Sequence, residues 1–450
     1  MADSILRAPE GVLGGGWCYR LSGAAIAVGV ALGFFSSATP AEAQTAELPT
    51  LAQYGPARGE GVLERQQERK RSDEFAPIGA RVGSFIFLPA VEVDAEFNSN
   101  VFAVENGDQG DLLTRIRPEF ALESDWNNHK LDLNIIPEFV RYYRFTADSV
   151  ENVDAAVDGR IDILRELTMD LKAGYRFGHE DRGNPNAVAA ASSPTETVTS
   201  DGSVGIEYKP ARYSLSLDGS FTHADFGDVV NNNGTITNND DRDRKKKEFI
   251  GRFGYEYLPE TEMFVKASYN VIDYDDSVDD GGQNRDSDGF SVVFGTDLDF
   301  TGIVTGDVFA GYISQDYDDV TLETVAGPTF GLGVSWDATP LITARASIVR
   351  TIQETTVANS GGFLSTGSTI SVDYEILRQW TASAEAKWTK SKYEGIGRED
   401  NTYDLSLGSE YLLNRNFSLR FDYAYKRKLS SQTGSNYKQN TVLVSLRSQF

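Results

Sequence analysis

The sequence predicts an all-β fold: an antiparallel transmembrane β-barrel of about 18 strands (16–18), with short periplasmic turns and long extracellular loops. Three observations carry this expectation. Apolar and charged residues alternate with a period of two along most of the chain, the connections between alternating segments are short and long by turns, and a secretory leader stands in front. The composition agrees. The chain has 450 residues, with 42 Gly, 25 Phe and 20 Tyr against 3 Met, which suits strands and turns better than packed helices. Its 42 Lys+Arg against 67 Asp+Glu leave a net charge of −25, which argues against a nucleic-acid partner, because phosphates need a basic face. Beyond residue 40 no run approaches the ~20 apolar residues of a spanning helix, so any membrane crossing falls to strands.

The leader comes first. Arg7 and Arg20 precede the apolar run 21–35, and small residues follow up to Ala41-Glu42-Ala43 before Gln44. The apolar stretch is too short for an anchor and ends in an A-x-A cleavage site, so residues 1–43 are expected to be a signal peptide. Cys18, the one cysteine, leaves with it. That excludes a disulfide scaffold, a thiol enzyme and a cysteine-ligated zinc site in the exported chain. Residues 44–82 read as a polar periplasmic N-terminal segment: the stretch 58–74 (RGEGVLERQQERKRSDE) is highly charged and lacks a two-residue period. A short helix plugging the lumen is the alternative. The barrel itself is expected over residues 83–450.

Successive side chains on a strand point to opposite faces, so each strand of such a barrel shows one oily and one charged face. Leu167, Met169, Leu171, Ala173, Tyr175 and Phe177 oppose Thr168, Asp170, Lys172, Gly174 and Arg176. Ile116, Pro118 and Phe120 oppose Arg115, Arg117 and Glu119. Phe417, Leu419, Phe421, Tyr423 and Tyr425 oppose Ser418, Arg420, Asp422, Ala424 and Lys426. In chain order the strands are expected near 85–97, 111–125, 129–145, 151–163, 167–180, 197–208, 211–224, 246–257, 261–275, 286–299, 303–318, 322–336, 340–353, 362–375, 378–393, 399–412, 416–429 and 438–450. Short connections include Trp126-Asn127-Asn128, Lys209-Pro210, Thr301-Gly302 and Leu413-Asn414-Arg415, whereas 181–196 and 225–245 are long.

A soluble β-sandwich would also alternate, and a propeller or solenoid would repeat a motif at a fixed period, which this chain does not do. Tight turns at one end and long polar loops at the other favour the membrane barrel. In hydrocarbon no backbone group can be left unpaired, and only a closed sheet has no edge. Trp126, Tyr208, Tyr257, Trp336, Trp380 and Tyr411 fall near strand ends, where an interfacial girdle would lie. The stretch 441–450 (TVLVSLRSQF) puts Val442, Val444, Leu446 and Phe450 on one face. A closing aromatic in phase with its strand resembles the C-terminal signal read by the outer-membrane barrel-assembly machinery. The cell outer membrane is the expected location, with its lipid, lipopolysaccharide and that machinery as partners.

With apolar faces toward lipid, the charged faces enclose the interior, and 16–18 strands leave room for an aqueous channel unless something plugs it. Candidate lumen-lining residues are Arg115, Arg117, Glu119, Lys172, Arg176, Arg345, Lys387, Arg420 and Asp422. Lys266, Lys426, Glu123, Asp158, Asp170, Asp218, Asp297, Glu385 and Asp404 accompany them. Such a lining holds water and orders solutes by charge; the plainer alternative is that the charges pair between strands and only stabilise a wet interior. The Asp-rich loop 273–288 lacks the spacing of a calcium loop and reads as solvated. The basic run 242–247 (RDRKKK) reads as a rim facing lipid phosphates or as a solvated loop end. Of the three histidines, His129 follows a short turn, and His179 and His223 point by phase toward lipid. A lipid-facing Ser–His pair could serve lipid hydrolysis, since a hydroxyl nucleophile needs an adjacent base, but neither histidine sits in a motif joining it to Ser, Asp or Asn in a defined order. No catalytic residue, cofactor or metal site is expected.

The early barrel resembles the putative beta-barrel porin 2 family of Gram-negative outer-membrane proteins. The likeness is carried by Asn98-Ser99-Asn100-Val101-Phe102 after the first strand, by Pro118 in a second strand ending Ser124-Asp125-Trp126 with His129 beyond, and by Asp158-Gly159-Arg160 leading into Arg165. In place of the family's usual acidic pair before the asparagine this chain has Asn98-Ser99. The resemblance implies an outer-membrane β-barrel over about 85–450, a link of some members to exopolysaccharide export, and no catalytic residues. The expected function is a porin-like channel for small polar solutes or a barrel assisting surface polysaccharide export. A structural or interaction barrel with an occluded lumen and glycan- or envelope-binding loops is the alternative.

Overall fold

Each alternating segment pairs with its neighbours in the chain, and the last pairs with the first. The computed structural model describes residues 75–300 and 302–450. The expected signal peptide with Cys18, the lead-in up to residue 74 and Thr301 of the Thr301-Gly302 turn lie outside these residues. The strands are β1 (Ala80–Val82), β2 (Phe85–Asn98), β3 (Asp111–Ser124), β4 (Lys130–Tyr142), β5 (Val150–Leu164), β6 (Leu167–His179), β7 (Glu196–Tyr208), β8 (Tyr213–Phe226), β9 (Val229–Val230), β10 (Ile236–Thr237), β11 (Arg244–Leu258), β12 (Thr261–Tyr274), β13 (Ser287–Phe300), β14 (Val304–Tyr317), β15 (Val325–Thr339), β16 (Ile342–Glu354), β17 (Gly362–Leu377), β18 (Trp380–Tyr393), β19 (Glu399–Asn414), β20 (Phe417–Ser430) and β21 (Tyr437–Gln449). Eighteen of them, β2–β8 and β11–β21, form a closed antiparallel ring. It closes where β2 pairs with β21, from Ala90↔Gln449 to Asn98↔Thr441. β9 and β10 are a small hairpin inside the loop between β8 and β11.

The oily face points outward. Val91, Val93 and Phe97 of β2, Leu112, Ile116 and Phe120 of β3, and Val444 and Leu446 of β21 are exposed, while Asp94, Glu96, Asp111, Arg115, Glu119 and Ser445 on the opposite faces are buried. Trp126, Tyr208, Tyr257, Trp336, Trp380 and Tyr411 are all exposed near the short-turn end, forming one aromatic belt. Inside, β12–β16 carry a small apolar patch of Phe264, Val293, Phe309 and Val349. Its rings occupy room that glycines leave: a Cβ on Gly295 would collide with the Phe264 ring, and one on Gly331 with the Phe309 ring.

Five boundaries differ notably from the alternation, each for a local reason. The expected strand to 145 stops at Tyr142, because the Asp111 carboxylate accepts hydrogen bonds from the Arg144 and Phe145 N–H groups and turns the chain into a 3-10 turn at Thr146–Asp148. At the short-turn end β15, β17 and β19 run two or three residues further than expected. A register shift interrupts each one (Asp337/Thr339, Glu375/Leu377, Leu412/Asn414), and the extra residue of such a bulge flips the face on which later side chains fall. Residues 80–82, placed above in the polar lead-in, pair with Phe85–Phe87 as β1. β1 thus continues the line of β21, and the Gly79 N–H bonds the Phe450 carbonyl at 3.1 Å.

Gly331→Leu is expected to destabilise the folded barrel by about 1–3 kcal/mol, the usual cost of overpacking. Urea unfolding of the reconstituted barrel measures it, and an unchanged midpoint would refute this account of ring packing over glycine.

Candidate functional site

The outer half of the lumen contains a cavity of about 740 Å³. On one side it is walled by the inward faces of β2–β6 and β17–β21, on the other by residues 181–186 of the loop between β6 and β7. This loop turns inward rather than standing out from the rim. The Lys428 Nζ of β20 lies 3.5 Å from the Gly183 carbonyl, and Asn186 Oδ1 accepts from the Thr355 hydroxyl at 2.8 Å. Thr355 lies in the connection between β16 and β17, and β17 is nine strands from β6 around a ring of eighteen. The loop therefore spans the barrel.

Two largely buried ion pairs hold its β6 end. Arg242 donates to both carboxylate oxygens of Glu180 at 2.5 and 3.0 Å, and both residues are buried. Arg182 donates to Asp148 at 2.7 Å and to the Ala191 carbonyl at 2.9 Å, and its guanidinium sits 5.6 Å from the Phe102 ring centre. Burial raises the Asp148 carboxyl above its ordinary value, and the Arg182 charge opposes that rise. The Ser192 N–H bonds the Val230 carbonyl and the Asn232 N–H bonds the Ala190 carbonyl, so the β9–β10 hairpin braces the loop from outside. On the far side Arg285, buried, donates to the Thr355 and Ser360 carbonyls at 2.7 and 2.8 Å and fixes the docking point of Asn186.

The candidate lining residues distribute unevenly. Arg115, Arg176 and Lys387 line the cavity together with Arg117, Glu385, Asp404 and Lys426. Arg115 is buried between Glu96 (3.1 Å) and Glu138 (3.0 Å). Arg117 pairs with Glu92 and with Asp94 at 3.1 Å, and Arg176 with Asp154 at 2.9 Å. Glu119 is held by Arg447 at 2.8 Å and Asp422 by Arg420 at 2.7 Å, both beside the β2–β21 closure rather than in the cavity. Arg345 pairs with Asp373, and the exposed Lys172 is the cross-strand partner of Asp158. Lys387 and Lys426 both face Asp404, one from each neighbouring strand. In all, nine carboxylates (Glu96, Glu138, Asp148, Asp154, Glu180, Asp181, Glu385, Asp400, Asp404) and seven cations (Arg115, Arg117, Arg176, Arg182, Lys387, Lys426, Lys428) line it. Residue patterns missed Glu96, Glu138, Arg182 and Lys428 as lining residues. Alternation could have found the strand residues among them, but nothing in a loop sequence says that it folds inward.

Other expectations change. The basic run and the Asp-rich loop, read separately, meet each other: Lys245 bonds Asp275 at 2.6 Å, Lys247 bonds Asp273 at 2.7 Å, and Arg242 is buried on Glu180. They are neighbouring strand ends rather than a free cationic rim and a free acidic loop. His179 does not face lipid at its strand end but is half-buried on the cavity wall, its Nδ1 2.9 Å from Asn152 Oδ1. His129 has a left-handed backbone (φ 65) and its ring nitrogen accepts the Asp162 N–H, a turn-closing role. Asn100, fully buried, bonds the Val104 and Lys438 carbonyls through its amide and so ties the first outer turn to β21. Among the described residues, no group of three or more His, Cys, Asp and Glu could hold a metal ion.

A closed antiparallel barrel with an oily exterior, an ionic interior and an inturned loop is an outer-membrane barrel of porin type. The chain belongs to the putative beta-barrel porin 2 family, whose model matches residues 73–450. Among solved structures, Pseudomonas aeruginosa OpdK with vanillate is similar at 11% identity and a TM-score of 0.43, covering 81% of this chain and 99% of that one. Pseudomonas aeruginosa OccK2 (OpdF) in complex with glucuronate is similar at 8% identity and a TM-score of 0.45, covering 82% of this chain and 99% of that one. The ferric citrate transporter FecA in the unliganded form is similar at 11% identity and a TM-score of 0.41, covering 77% of this chain and 60% of that one. No curated protein matches the chain.

Glu180→Ala strands the Arg242 charge in a buried place, at a local cost of about 3–5 kcal/mol. Hydrogen exchange is expected to accelerate in 180–195 and 227–243 while the strands stay protected; unchanged loop exchange would count against the anchor. A second expectation concerns pH. Burial, aided by repulsion from Asp225, Asp240 and Asp275, pushes the Asp243 carboxyl up to about 7 in this outer loop. Since the folded value lies above the unfolded one, its contribution to loop stability is present below about pH 4 and is lost as pH rises through 7. Asp243→Asn, which keeps an acceptor for the Phe226 N–H, is expected to flatten the pH dependence of loop exchange between pH 5 and 8.

Proposed function

We propose that this protein is a diffusion channel for small polar solutes across the outer membrane, with residues 180–195 as its constriction. The observation that carries this reading is the loop itself. It crosses from β6 to the β16–β17 connection and leaves beside it a cavity of about 740 Å³ lined by charged side chains. A lining of this kind retains water and presents a solute with paired charges of both signs. Water also reaches the other wall, where the inward-pointing Lys172, Asp201 and Asp218 are exposed. The short turns, with Phe450 at that end, face the periplasm in this reading, accessible to the assembly machinery. The long loops meet lipopolysaccharide. A surface polysaccharide would need the loop withdrawn, so a small solute fits the resting geometry better.

Planar-bilayer conductance of the purified chain tests the proposal. Discrete open steps are expected, and deletion of 184–193 is expected to raise their conductance at least twofold. Silence at high protein load from both forms would favour the occluded, interaction-type barrel instead. With nine carboxylates against seven cations the channel is expected to be weakly cation-selective. Asp404→Asn, which leaves Lys387 and Lys426 facing a neutral group, is expected to move the reversal potential toward anions.

A further inference from the structure

The hydrogen-bond ladder of the wall is not complete. β3 and β4 pair from Leu113↔Tyr142 to Ile116↔Phe139 and resume, in the same register, at Phe120↔Ile135. The gap falls on Arg117, Pro118 and Glu119 opposite Glu138, Pro137 and Ile136, so two prolines stand directly across from each other. In an antiparallel ladder a residue's N–H and C=O point to the same neighbour. Pro118 keeps its place opposite Val91 of β2, and Pro137 opposite Val153 of β5, in ladders that run unbroken. Both ring nitrogens are therefore turned toward the β3–β4 seam, where neither can donate. Two rungs are missing, and two carbonyls lack the N–H groups they would meet in a regular sheet.

The surroundings make this a slot rather than a general weakness. Above it, the Asp111 carboxylate clamps the Arg144 and Phe145 N–H groups, and the Arg115–Glu138 ion pair bridges the seam. Below it, the Ser124 N–H bonds Asp132 and the Leu131 N–H bonds the Ser124 hydroxyl. Pro118 lies near the middle of β3, midway between the two ends of the seam. Outside, the slot is framed by Ile116, Phe120, Ile135 and Phe139 on the lipid-facing side. Inside, the cavity reaches it, with Arg117, Ile136 and Glu138 on its lining. Parting the strands here breaks no backbone hydrogen bond, whereas parting them elsewhere strands paired groups in hydrocarbon.

We propose that the β3–β4 slot binds the alkyl chain of a single-chain amphiphile whose polar head sits in the cavity. The two faces of the slot require both halves of such a molecule, and a gap one rung pair long between clamped ends admits one chain. The experiment uses the full chain in lipid nanodiscs with lysophosphatidylcholine carrying a diazirine at mid-chain. After irradiation, adducts on the half-buried Ile136 are expected at least tenfold above those on the half-buried Thr389 of β18, which lines the same cavity away from the seam. Pro118→Val with Pro137→Val restores both donors. It is expected to remove the Ile136 adducts while Phe120 and Phe139, outside, label as before. Equal labelling of Ile136 and Thr389 in the unaltered chain, or of Ile136 before and after the substitutions, would overturn the proposal. The first comparison needs no variant, so it decides even if the double substitution impairs folding. Conductance is read separately and fails or succeeds independently.

Discussion

A backbone in hydrocarbon has no water to turn to, and this constraint shapes every other feature of the molecule. Eighteen strands exhaust their ladders on one another, and the last pair, β2 with β21, removes the edge that would otherwise remain. The closure is staggered. β21 ends opposite Ala90, so the first residues of β2 lack it as a neighbour, and β1 fills that place with the Gly79 N–H on the Phe450 carbonyl. Where the rule is relaxed, at Pro118 and Pro137, the seam is secured at both ends.

Closing the sheet with its apolar side out forces the charges together inside, where they solve one another's desolvation. Arg115 with Glu96 and Glu138, Arg117 with Asp94, and Arg447 with Glu119 sit on four consecutive strands around the closure. Ions this enclosed contribute little net stability, since their attraction roughly offsets the water they lose. Their effect is local order: they fix the positions of neighbouring charges along the cavity wall. The opposite wall is built differently, from Phe264 and Phe309 lying over glycines. Both halves of the lumen are thus charged, and the apolar patch is confined to one of them, where Arg252 still pairs with Glu262 and Asp297.

The inturned loop joins these halves, and its stability is borrowed from its neighbours. Glu180 needs Arg242 from the loop after β8, Arg182 needs Asp148 from the turn after β4, and Asn186 needs Thr355, itself held by Arg285. The outer loops are consequently one network rather than separate excursions. The pairs Lys245–Asp275 and Lys247–Asp273 belong to it, which is why a basic run and an acidic loop that look independent along the chain neutralise each other at adjacent strand ends.

Read without a structure, the chain already determined the all-β class, about eighteen strands (16–18), the outward and inward faces, the girdle of Trp126, Trp336 and Trp380, and the family. A period of two is imposed residue by residue, and lipid on one side with water on the other writes it plainly. Boundaries were lost where that period breaks, at the bulges before short turns and at Asp111, whose carboxylate bends a segment more than thirty residues away, and at β1, which falls in the polar lead-in. The cavity was half legible: Arg115, Arg176 and Lys387 follow from phase, whereas Arg182 and His179 do not. Only the tertiary structure decided that residues 180–195 turn into the barrel and that two prolines meet across a seam. Both depend on contacts between segments distant in the chain, and such contacts leave no period in the sequence.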